Sequence, residues 1–441
     1  MSDTTLYQTD YKSKLVAAFE NREKVADTAA LYTRRQEAIR HFDRLGFPTT
    51  KNEEWKYTDV KNLLKKDFDF TPARNTPTIQ PDKLHSLLIP DTDANVIVFV
   101  NGVFNSSLSN IISPAEELTI QDFSKATQTN TEIVEKYFGT LASYDKEAFT
   151  ALNTAFARHG AFIHVPANKV VSKPVILYFI ADSETQAAAA MPRNLFVASR
   201  NSQVTIVEAF LSKGNQPSFT NVVTEIVVQE NANVTYTKIQ NESEQSYNIG
   251  TTQVHQSRDS KFSAITVSLS GALIRNNLNI VLDAENCESH LYGLYMLNGS
   301  QHVDNHTLVD HAKPHSYSNE LYKGIMDDKS TGVFNGKIFV RQDAQKTNAF
   351  QSNKNILLSK EASMNTKPQL EIFADDVKCS HGATTGQLDE DMLFYLRSRG
   401  IGVNEAKALL MYAFAADIIN QISIEAIRLY VERVIANRLN Q

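Results

Sequence analysis

The chain has 441 residues, 21% of them charged and 42% hydrophobic, with a formal net charge of -6. Such a composition fits a globular protein of two or three domains, or one long repeat array. The negative balance argues against a general nucleic-acid binder, and two cysteines supply no disulfide framework. No apolar run approaches about 18 residues and the polar N-terminus has no apolar signal region, so the expectation is a cytoplasmic protein with no membrane contact.

Leu6 to about Leu45 reads as two helices. In the second, Leu31, Ala38, Ile39, Phe42 and Leu45 recur at helical spacing with Arg34 and Arg35 between them, and Gly46 followed by Pro48 stops it. Trp55, the only tryptophan, sits in Trp55-Lys56-Tyr57-Thr58. An aromatic anchor that docks the helical arm onto the next domain fits better than a ligand-stacking ring. The proline- and threonine-rich stretch Phe70 to Pro81 reads as a linker or extended arm.

From Asn95 to about Phe373 short β-type runs dominate. Phe196–Val207 can be laid over Ile226–Thr237 and over Val254–Ile265, and looser copies begin near Ile280, Leu308 and Ile338. A repeat of about 26 to 30 residues, each a strand, an Asn or Asp turn able to take the left-handed conformation and a second strand, predicts a parallel β-helix. Its open rungs need covering, and helices at both termini are expected to cap it. His302, His306, His311 and His315 are spaced four, five and four apart. The β-type surroundings and Pro314 favour rung-stacking or surface histidines over a zinc site.

Cys379 and His381 form a Cys-x-His pair where the β-type runs give way to helical patterns. They offer a thiolate and an imidazole to one metal or sulfur atom, or are a buried small hydrophobe and a hydrogen-bonded strand end. Three helices follow: Leu388–Ser398, Glu405 to about Ile419 capped by Asn404, and Ile424 to about Leu439 capped by Ser423. Their broad apolar faces suit burial against the solenoid end or a partner protein. The expected division is residues 1–94 as a helical region with linker, 95–378 as the β-helix core and 379–441 as a helical domain.

The segments Tyr322–Ile325, Gly332–Ile338, Asp343–Thr347, Ser352–Asn355, Pro368–Ile372 and Ala374–Gly386, then Phe394–Ile401, resemble the SufB/SufD family, as does Trp55–Thr58. The resemblance implies a right-handed parallel β-helix flanked by helical domains. It implies a non-catalytic scaffold subunit of the SUF iron–sulfur cluster assembly complex that supports cluster assembly and iron acquisition. The partners it implies are a SufB-type paralogue and a SufC-type ABC ATPase, with a homodimer possible for the isolated chain. No tightly bound cofactor is expected, only a transient Fe–S cluster at the interface with the SufB-type partner. The family's interface histidine falls on His381, with Cys379 as a second candidate ligand. ATPase docking falls on the C-terminal helices, with Leu388, Phe394, Tyr395, Arg399, Leu409 and Tyr412 as candidates. Gly382 stands where the SufB branch has Glu, and Asn353 where that branch has its acceptor cysteine, so the resemblance is to the SufD branch. For Cys287 a buried core thiol is the default. The alternative is a carbohydrate-active β-helix enzyme, which needs paired carboxylates along one face.

Overall fold

The computed structural model describes residues 3–21, 27–66, 68 and 86–439. The expected linker Phe70–Pro81 lies outside the described residues. Two ten-stranded sheets face each other, and from residue 193 to residue 386 the chain alternates between them. Each strand pairs in parallel with the strand two further on, so one turn of a β-solenoid uses one strand from each sheet. The predicted register is the observed one. Phe196 pairs with Ile226 and Ile226 with Val254, while Val204 pairs with Val234 and Val234 with Phe262. Val254 pairs with Ile280, and the next partners are Val309 and Ile338, one residue on from the expected Leu308.

The corners follow from the turn residues. Asn201, Asn231, Asp259 and Asn286 all have φ between 54° and 59°, a conformation that short amide and carboxylate side chains tolerate. They also ladder between rungs: Asn231 Nδ2 donates to Asn201 Oδ1 at 3.0 Å and Asn286 Nδ2 to Asp259 Oδ1 at 3.0 Å. Inside, alternate residues of both sheets form one continuous apolar core from Phe99 and Phe179 to Tyr322 and Phe334.

Among the described residues the α-helices are α1 (Asp3–Glu20), α2 (Ala29–Leu45), α3 (Lys61–Leu64), α4 (Phe123–Thr129), α5 (Thr131–Tyr137), α6 (Ala148–Phe156), α7 (Glu390–Ser398), α8 (Val403–Ile419) and α9 (Glu425–Leu439). Thr28 caps α2, and Gly46, at φ 63°, ends it. Three expectations are corrected. Residues 95–378 are not all β-helix, because α4 to α6 interrupt the strands, and α6 packs on α2. The last strand runs Val377–Gly386, so the β-region ends at 386 and not at 378. The C-terminal helices do not cap the solenoid end. Met411, Ala415, Ile418, Ile427, Val431 and Ile435 of α8 and α9 bury against Ile265, Val267, Leu294 and Ile325, on the flank of one sheet. Lys323 Nζ donates to Phe414 O at 2.9 Å and Arg438 Nη1 to Met296 O at 2.7 Å, pinning both helices there. At the start of α8 the cap position is Gly402 and not Asn404. No helix among the described residues is long and apolar enough to cross a membrane.

Candidate functional site

The last turn of the solenoid is Ser363–Ile372 in one sheet and Val377–Gly386 in the other, each at the end of its sheet. The second is exposed from Ser380 onward. Its register places Cys379 beside Ala349, His381 beside Gln351 and Ala383 beside Asn353. Ala349, Gln351 and Asn353 are buried while Phe350 and Lys354 are exposed, so the partners Cys379 and His381 lie on the inward face. Because no further rung covers them, that face is open beyond His381.

The two candidates differ. Cys379 is half-buried and packs with Ile338, Ala349 and Ala374. Burial pushes its thiol above the usual range, which disfavours the thiolate that ligates or attacks. His381 is exposed on the same face. Among the described residues no group of three or more His, Cys, Asp or Glu sits close enough to hold a metal ion. Beneath the pair the lumen is polar. Asn353, fully buried, donates to Tyr295 Oη at 3.1 Å and Tyr322 O at 3.2 Å, and Tyr295 Oη donates to Asn355 Oδ1 at 2.6 Å. Glu320 is buried one rung below Gln351, and burial raises its carboxyl to about 7.

The four histidines do not converge. His302 and His306 lie on the outer face of their strand, and His311 is buried inside it with Nε2 2.9 Å from Ser318 Oγ. Burial lowers His311 to about 4. His315 shares no strand face with His311, since it occupies a turn at φ 62°. His302 and His306 instead receive the tryptophan box. Thr58 Oγ1 lies 2.9 Å from His302 Nε2 and donates to Asp304 Oδ2 at 2.5 Å. His306 Nε2 lies 3.0 Å from Asp304 Oδ1, and its Nδ1 3.4 Å from Glu54. Arg275 pairs with Asp304 at 2.5 Å, and its guanidinium stacks 3.9 Å over the Trp55 ring, which also packs on Phe149. Trp55 is therefore an anchor. Cys287 is buried, its thiol directed at Ser257 O and Ala284 O.

Of the expected docking residues, Phe394, Tyr395, Arg399, Leu409 and Tyr412 are exposed, Phe394 by 73%. No residue of α7 is buried. Arg399 lies over the Tyr395 ring at 5.3 Å. Leu388 is half-buried against the flank core and anchors the segment instead.

The model of the SUF system FeS cluster assembly SufBD core domain matches residues 179–414, and that of the SufBD protein N-terminal region residues 8–177. The chain belongs to the SufBD family. It is 35% identical over 433 residues to an iron–sulfur cluster assembly SufBD family protein of Synechocystis sp., covering 96% of this chain and 94% of that one. Escherichia coli SufD is 32% identical over 406 residues, with 92% of each chain covered. Bacillus subtilis SufD is 29% identical over 426 residues, covering 95% of this chain and 96% of the relative. The SufBD core match spans the open rung, Cys379, His381 and the exposed helix α7. Gln351 and Glu320 belong to no sequence motif; their separation by one turn of the solenoid is the signal that pairs them.

Proposed function

We propose that this chain is a non-catalytic scaffold subunit of an iron–sulfur cluster assembly complex. Its family membership supports a role in cluster assembly and displaces the carbohydrate-active reading. The open last rung carries the rest of the proposal. The two terminal strands, Val377–Gly386 exposed and Ser363–Ile372 half-buried, have unpaired outer edges and form a template for another chain, and the occupant we assign is a SufB-type paralogue, or a second copy of this chain when the paralogue is absent. His381 supplies one ligand to a nascent cluster at that junction, and Cys379 a second once a metal displaces its proton. One imidazole and one thiol fall short of a complete ligand set, so the partner supplies the others and the cluster is transient cargo. The exposed face of α7 and α8, with Phe394, Tyr395, Arg399, Leu409 and Tyr412, is the dock for a SufC-type ATPase. The complex acts in the cytoplasm, where ATP hydrolysis by that partner drives cluster assembly and iron acquisition.

Anaerobic co-expression with SufB-type and SufC-type partners tests this. His381→Ala is expected to keep the mass of the complex while abolishing its iron–sulfide absorption. Phe394→Asp with Leu409→Asp is expected to release only the ATPase. Wild-type cluster content in His381→Ala would sink the site assignment, and a chain that ignores both partners would sink the scaffold reading.

A further inference from the structure

His381, Gln351 and Glu320 form one inward-facing column, each a rung below the last. Adjacent strands run about 4.8 Å apart, so side chains in register stack within reach of one another. Gln351 is 3% exposed and Glu320 2%. The Gln351 amide has committed its nitrogen: Nε2 donates to Glu320 Oε2 at 2.8 Å. Its oxygen has not been used, since Gln351 Oε1 is buried with no partner. Native folds rarely leave such an acceptor unpaired without a reason. Gly336 makes the room, as a Cβ there would stand 2.3 Å from Gln351 Nε2.

The geometry points to Gln351 as the positioning residue for His381, with Oε1 accepting one imidazole N–H and leaving the other ring nitrogen neutral and free to ligate. Glu320 sets the sense of the amide. A carboxylate oxygen accepting from Nε2 excludes the flipped orientation, which would aim a donor at the ring. A ligating histidine generally donates its second N–H to an oxygen, and that bond selects tautomer and ring angle. The inference rests on the reading of His381 as a cluster ligand, and it deepens that reading by naming what holds the ligand.

The test is long-range proton–nitrogen NMR of the isolated chain with nitrogen-15 histidine, the His381 signals being identified by their loss in His381→Ala. At pH 8 the wild type is expected to show one neutral tautomer. Gln351→Met and Glu320→Leu are each expected to give the mixed tautomers of an unrestrained ring, and either variant alone suffices. A mixed ring in the wild type, or unchanged signals in both disruptive variants, would overturn the proposal. In the co-expressed complex Gln351→Met is expected to lower cluster yield about tenfold with the mass retained. Should His381→Ala build clusters normally, the ligand reading falls, while the tautomer result still decides the Gln351–His381 contact.

Discussion

The tryptophan box and the last rung both bring polar side chains against the C-terminal half of the solenoid, yet one is closed and the other open. Two buried carboxyls show the difference. Each Asp304 oxygen faces partners: Thr58 and Arg275 at Oδ2, His306 at Oδ1. Burial alone would raise its carboxyl, but Arg275 and His306 hold it well below the usual range. Glu320 has no cation beside it; burial dominates and its carboxyl rises to about 7. The closed cluster sets cations against its buried carboxylate and so works as an anchor. The column below the open edge holds a buried carboxyl with no cation to offset its burial.

Removing the closed side's charge has the largest expected effect. Asp304→Asn strands the buried Arg275 guanidinium, 3% exposed, and is expected to cost about 3–5 kcal/mol in denaturant unfolding. A cost below about 1 kcal/mol would mean that the anchor does not depend on this pair. The pH signature follows from the direction of the shift. A depressed folded-state value gives stability that is complete above the unfolded value near pH ~4 and lost as pH falls through the folded value. The acid limb of the stability curve is therefore expected to be flatter in Asp304→Asn.

The open side predicts the opposite sign. Between pH ~4.3 and about 7 the folded chain holds a proton on Glu320 that the unfolded chain releases. Stability therefore falls as pH rises through that window, and the penalty is complete above it. Glu320→Gln removes the slope. It is expected to match the wild type near pH 4 and exceed it above pH 7 by an amount on the order of 3 kcal/mol. Denaturant midpoints from pH 4 to 9 check this, and parallel curves for the two proteins would refute it.

What was legible in the chain was local or periodic. Period-two alternation and the left-handed Asn and Asp turns place Phe196, Ile226 and Val254 in one lane without any knowledge of the fold. Helix α6 was not legible. Its residues Ala148 to Ala155 are all buried, so it has no polar face and its nine residues read equally well as a core strand. Arg35 lies between the apolar positions of α2 in sequence, and no local pattern marks it as 2% exposed and paired with Asp27. Gln351 and Glu320 carry no local signal, because their role arises only when consecutive rungs stack. The Cys-x-His pair was visible as a composition event, but the difference between a half-buried thiol and an exposed imidazole needed the strand register.

The smallest expected effect lies at the rim of the closed region, where Lys367 Nζ meets Glu53 Oε1 at 2.5 Å. Both side chains are solvent-exposed, by 34% and 64%, so salt screens the pair and ordering two flexible chains offsets its attraction. Lys367→Ala is expected to leave the thermal midpoint unchanged at physiological ionic strength. A clear drop, reproduced in the wild type by raising salt, would move the source of the anchor from the buried Trp55–Arg275–Asp304 stack to the charges around it. No drop leaves that stack as the feature that separates the closed region from the open one.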